Sequence, residues 1–290
     1  MILRDVRWQQ RLYGYLALAR ISNSPTVVSN VLAGAALAGA RQPNGTLALL
    51  GVAMVLFYTA GMFLNDLCDY AADRRERPDR PLPSGTVPRT AAAAAVVALF
   101  GAGSIVLWYV GLAPFLSGIL LIGLIVTYDM WHKANPFSPL VMAGTRLMVY
   151  VVAFLAFSPR VSGSLAAAGG LLALYVVGLT YVAKSETGPS FTRYWPATLL
   201  FLPVGCFALW VPSVSMLPLL LLFAGWVAYS ISFLYRSKGR SIGGGVTRLI
   251  AGIALYDALV LGAFGALSGV MLALLAFGLT LFFQRYIKGT

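Results

Sequence analysis

Ten stretches of this chain are apolar for about the length of a bilayer crossing, near 20–40, 46–66, 88–110, 113–130, 138–158, 163–182, 194–211, 214–235, 245–267 and 269–287. A spanning helix needs about 17–25 such residues. In hydrocarbon every backbone N–H and C=O must find its partner inside the protein, which leaves helices or closed barrels. Runs of this length are helical, so the fold class is all-α: a polytopic transmembrane bundle forming one domain over 1–290. Only 10% of the residues are charged, against about 25% in soluble domains. The net charge of +12 does not point to nucleic acid, because the basic residues fall between the apolar runs rather than on one face. That is the pattern that sets membrane orientation. A cytoplasmic N-terminus leaves only Arg41 and Arg160 of the 21 basic residues on the outside. The expected setting is the lipid of the inner or plasma membrane, with the active-site loops cytoplasmic. Arg4, Arg7 and Arg11 then flank an uncleaved first span rather than a signal peptide. The two cysteines, Cys68 and Cys206, give no disulfide framework.

The acidic residues are placed very unevenly. Of nine in the chain, Asp66, Asp69, Asp73, Glu76 and Asp79 fall together where the second apolar run ends. On a helix Asn65, Asp69 and Asp73 recur every four residues and share a face, with Asp66 beside them. Carboxylates so placed repel one another unless a cation lies among them. Hard oxygen ligands at a partly wet site suit Mg²⁺ shared between protein and phosphate. A merely solvated helix end explains the charge but neither the shared face nor the Arg-Pro-Leu-Pro-Ser-Gly run just beyond it. Pro78, Pro81, Pro83 and Pro88 stiffen the next connection; Arg77 and Arg80 within it are candidates to face an anion.

Asn65-Asp66-Leu67-Cys68-Asp69-Tyr70-Ala71-Ala72-Asp73, then a basic loop and Arg80-Pro81-Leu82-Pro83-Ser84-Gly85, resembles the first Asp-rich motif of the UbiA superfamily of intramembrane prenyltransferases. The resemblance implies nine helices around a central cavity open to lipid; the ten apolar runs leave nine or ten open. It implies Mg²⁺-dependent transfer of a prenyl group from a polyprenyl diphosphate to a small acceptor, with Asn65, Asp66, Asp69 and Asp73 at the metal. The family's second motif, DxxxD, is missing near 180–193, where Glu186 and Lys184 stand instead. The acceptor is accordingly open between an aromatic quinone precursor and a sugar- or cyclitol-like molecule.

Other polar residues fall at the same membrane level as the motif. A charge at the bilayer centre costs about 2.5–3.5 kcal/mol or more, so such residues are functional candidates. Arg77, Arg80, Lys133, Arg146 and Lys184 are expected to contact the diphosphate, Lys184 standing in for part of a second metal. Tyr128 and Tyr181 offer ring faces to a carbocation; Asp129 or Glu186 takes the acceptor's proton. Arg20 reaches either a phosphate or lipid headgroups. His132 is read as interfacial, Asn30 as a packing residue, and Gly34, Ala35 and Ala36 as a close helix contact. Asp257 faces the cavity or pairs with Arg248, the pairing being favoured. The alternative function is an ion-coupled transporter using the acidic helix end as its cation site; transporters, however, tend to place such groups at the bilayer midplane.

Overall fold

The computed structural model describes residues 2–132, 135–184, 195–211, 213–235 and 241–287. Its helices are α1 (Ile2–Leu18), α2 (Pro25–Leu37), α3 (Gly45–Glu76), α4 (Arg89–Val110), α5 (Leu112–Trp131), α6 (Ser138–Leu155), α7 (Gly163–Lys184), α8 (Trp195–Trp210), α9 (Leu217–Tyr235), α10 (Ile242–Ala263) and α11 (Leu267–Tyr286). The helices α2 to α11 match the ten apolar runs one for one. Eight helical segments are long and apolar enough to cross a membrane; α2 and α8 are apolar but shorter, at 13 and 16 residues. The unexpected helix is α1, whose charges interrupt any apolar run.

Successive helices pack as antiparallel neighbours from α3 to α11, and α2 lies among them against α3, α6, α10 and α11. Close approach of α2 depends on Gly34. A Cβ there would lie 2.6 Å from the Tyr150 carbonyl oxygen on α6, so the two backbones touch where the sequence predicts a small-residue contact.

Burial brings one carboxylate into the middle of this packing. Asp257 on α10 is fully buried and accepts hydrogen bonds from Ser29 and Asn30 on α2 and from Tyr150 on α6. It therefore does not pair with Arg248, which donates instead to the Gly244 carbonyl one helical turn away. The bonds to Asp257 pin α2, α6 and α10 together.

The helix that positions the site is α3. Asn44 caps its start by accepting from the Leu47 amide, and it continues for 32 residues, about 48 Å at 1.5 Å per residue. The hydrocarbon core is about 30 Å thick. The stretch from Gly45 to Leu64 is enough to cross it, so the turns carrying Asn65 to Glu76 project toward the membrane surface. The C-terminal ends of α5, α7 and α11 and the start of α10 collect at this same end. Asn65 bonds Asp129, Lys184 bonds the 135–138 turn, and Gln284 bridges Asn23 and the Thr247 carbonyl.

Candidate active site at the polar end of the bundle

Carboxylates at the C-terminal end of a helix face the negative pole of its dipole, so the motif requires cations nearby. Two arginines supply them. Arg20 joins α1 to the turn before α2 and lies 3.0 Å from Asp66 Oδ1 and 3.3 Å from Asn65 Oδ1. Among the described residues it alone, apart from glycines, has positive φ, at 43°. Such left-handed backbone is costly for a side-chain-bearing residue; here it accompanies the turn that aims the guanidinium at α3. Arg20 thus pairs with α3 and lines the cavity below the motif.

The second arginine is Arg80. The proline-rich loop folds back on α3, with Leu82 and Val87 buried against Leu18, Phe63 and Ala92. Gly85, at φ 74°, makes its left-handed turn at little cost. The fold-back places Arg80 Nη1 2.6 Å from Asp73 Oδ2. The Arg-Pro-Leu-Pro-Ser-Gly segment thus works as a strap returning a cation to the acid seven positions earlier.

From α5, Asp129 Oδ1 accepts from Asn65, and His132 Nε2 lies 3.6 Å from Asp69 Oδ1. Asp66 Oδ2 and Asp129 Oδ2 are buried without a hydrogen-bond partner. Buried acceptors of this kind carry a desolvation cost unless a ligand completes them. Among the described residues no three Asp, Glu, His or Cys side chains already converge as a finished metal cage. The donor set on α3 is instead a partial one: carboxylate and amide oxygens, with Asp66 Oδ2 unpartnered, which suits Mg²⁺ completed by water and phosphate.

Beneath this rim lies a cavity of about 1260 Å³, larger than the roughly 300–1,000 Å³ of ordinary small-molecule pockets. Arg20, Arg77, Arg80, Tyr128, Asp129 and Arg146 line it, and deeper walls include Met54, Phe57, Leu121, Val149, Val176 and Ile253. Arg146 is held by Asn30, which receives its Nη1 at 3.0 Å, and lies over the Tyr58 ring. Asn30, expected only to pack, therefore links buried Asp257 to a cavity arginine. Nothing local in the sequence marks that link.

Asn65, Asp66, Asp69 and Asp73 are not in the described lining; Asn65, Asp66 and Asp73 adjoin it through Asp129, Arg20 and Arg80, which are. Two expected site residues on α7 turn away from it. Tyr181 does not line the cavity: Leu179, Thr180 and Ala183 do, and Tyr181 turns on α7 toward the Pro136 carbonyl and the Trp195 ring. Lys184 is also absent from the lining. It donates to Ser138 Oγ at 2.6 Å and the Asn135 carbonyl at 3.2 Å, tying the end of α7 to the start of α6. Lys133 and Glu186 lie outside the described residues.

The comparisons with known proteins converge on one family. A model of the UbiA prenyltransferase family matches residues 27–243. The digeranylgeranylglyceryl phosphate synthase of Methanoregula boonei is 40% identical over 131 residues, 43% of this chain and 44% of that protein. Its counterpart in Halobacterium salinarum is 35% identical over 178 residues, 59% and 60% respectively. The chain thus aligns with roughly half the length of these curated relatives. A solved structure concerned with digeranylgeranylglyceryl phosphate synthase in membranes has TM-score 0.61 at 17% identity, covering 90% of this chain and 99% of that one. A UbiA homolog from Archaeoglobus fulgidus bound to GPP and Mg²⁺ has TM-score 0.54 at 14% identity, covering 92% and 98%. These matches give the transport alternative no support. Fold, motif and family model agree, and the chain belongs to the UbiA prenyltransferase family.

Proposed function

We propose that this protein transfers a prenyl group from a polyprenyl diphosphate to the hydroxyl of a small acceptor held in the same cavity. The observation carrying this reading is the juxtaposition of an unsatisfied, arginine-braced carboxylate rim with a large apolar-walled cavity. Asn65, Asp66, Asp69 and Asp73 are the residues that would hold Mg²⁺, which would supply charge neutralisation for a leaving diphosphate. Arg20, Arg77 and Arg80 line the mouth and offer charge-assisted hydrogen bonds to the phosphate oxygens. Arg146, with its side chain fixed by Asn30, adds a further cation to the wall. The hydrocarbon tail lies against the apolar walls, where each buried CH₂ contributes about 0.8 kcal/mol.

Reaction breaks the bond between the allylic carbon and the diphosphate oxygen, whose electron pair leaves with the diphosphate. The Tyr128 ring lines the cavity at this level and stabilises the developing cation. The acceptor oxygen forms the new C–O bond and its proton passes to Asp129, whose Oδ2 has no competing partner. The relatives' name favours a glyceryl phosphate acceptor over the aromatic and cyclitol classes.

The test is incubation of the purified protein with geranylgeranyl diphosphate, Mg²⁺ and candidate acceptors, with products read by mass spectrometry. A prenylated acceptor plus diphosphate, lost on adding EDTA, is the expected result. Unchanged turnover in excess EDTA, or no product with any hydroxyl acceptor, overturns the reading.

A further inference from the structure

The cavity ends inside the bundle, on a packed floor. Met54 and Phe57 on α3, Leu121 on α5 and Val149 on α6 line it there. All four belong to one apolar cluster, with Leu50, Ala53, Leu107 and Val152 packed behind them. Met54 and Phe57 are 1% exposed and Leu121 2%, so the space tapers onto close-packed side chains. Phe57 is eight positions before Asn65 and Leu121 eight before Asp129, about 12 Å of helix below the polar end. Met54 lies three positions deeper.

Phe57 owes its place to two missing side chains. A Cβ on Gly103 of α4 would lie 2.6 Å from Phe57 Cε1, and one on Gly118 of α5 would lie 3.4 Å from Cε2. The ring sits back into the niche between these helices, edge-on to Phe100 with 5.8 Å between centroids. Glycine inside a helix is unfavourable relative to alanine; at Gly103 the ring is what requires it. A separation of 2.6 Å is far inside the carbon contact distance of about 3.5–4.0 Å, so a methyl group at Gly103 drives the ring out of the niche. Leu107 and Phe100 fill the far side, and the cavity is the side with room.

We infer that Phe57, seated between Gly103 and Gly118, is the floor against which the prenyl tail ends, and that it sets the longest donor the protein binds well. A tail that stops short of the ring forgoes apolar burial. One that is longer must displace packed side chains, and overpacking a core is destabilising. The inference rests on the prenyl-transfer reading and adds to it a determinant of donor length.

The test is calorimetry on the full chain in nanodiscs with Mg²⁺, using geranyl, farnesyl, geranylgeranyl and geranylfarnesyl diphosphates, with inorganic diphosphate as the tail-free probe. In the parent, Kd should fall with each added isoprene unit up to one length and rise at least tenfold at the next. Phe57→Ala opens the niche and should move the tightest-binding length up by one unit. Gly103→Ala pushes the ring into the cavity and should move it down by one. Affinity for inorganic diphosphate should stay within twofold in both. Should either variant not fold, Phe57→Leu and Phe57→Trp must move the optimum in the same opposite directions. An optimum that stays put, or that moves the same way in both variants, overturns the inference. So does a loss of inorganic diphosphate affinity equal to that for the longer donors, which makes the ring merely structural. A parent whose affinity keeps rising through the longest donor also overturns it, because the tail then leaves between helices. Binding with an unmoved optimum defeats this inference alone; a parent that binds no prenyl diphosphate defeats the prenyl-transfer reading with it.

Discussion

Two groups of buried carboxylates sit in this bundle, and they have opposite bonding states. Asp257 is surrounded by donors: a serine, an asparagine and a tyrosine from two neighbouring helices bond it. Asp66 and Asp129 are buried to a similar degree, yet each keeps one oxygen without a partner. A saturated buried acid holds helices together, because its donors would otherwise be stranded; an unsaturated one is completed only when something else arrives. On the proposed reading, the contrast separates a structural acid from acids placed for chemistry more sharply than burial does.

The largest effect expected from that contrast is on turnover. Asp66→Asn or Asp129→Asn should lower kcat by about 10²–10³ or more, the range for losing one electrostatic contact to a transition state, while thermal unfolding in detergent stays near the parent's. A melting point that collapses along with activity would erase the distinction between the two groups. Next in size is Asp257→Ala, which strands Ser29, Asn30 and Tyr150 in an apolar interior. The expected loss is about 1–3 kcal/mol for each donor left without its acceptor, read as reduced yield of folded protein. Retained stability there would mean the hydrogen bonds do not pin α2, α6 and α10.

Smaller still is Lys184→Ala. With the ammonium directed at Ser138 and Asn135, kcat and the donor KM should stay within twofold; a tenfold rise in KM would return Lys184 to the diphosphate site. The subtlest prediction concerns orientation. Cys68 is exposed within the motif, so an impermeant maleimide should label it only from the cytoplasmic side. Labelling from outside would invert the arrangement expected from the basic loops.

The ten apolar helices could be read from the sequence because hydropathy is a local property, and the motif because its residues are contiguous. What joins distant positions could not be. Arg20 and Asp66 are 46 residues apart, and Asn30 and Asp257 are 227 apart; no local pattern pairs them. The directions of Lys184 and Tyr181 were hidden for another reason. A cation or aromatic ring at a helix end can face the cavity or a neighbouring turn, and one residue's rotation about α7 decides which. Helix α1 escaped notice because polar and apolar residues mix along it, leaving no window that resembles a span.

The length of α3 has a consequence for where this protein works. Its acidic turns ride on a rod whose apolar part just matches an average bilayer, so the depth of the motif is tied to lipid chain length. A thicker membrane draws Asn65 and Asp66 toward hydrocarbon, and a thinner one lifts the mouth away from the donor's tail. Tilting of the helix absorbs part of that mismatch at modest cost. Activity assayed in bilayers of graded acyl length should accordingly peak at intermediate thickness and fall on either side.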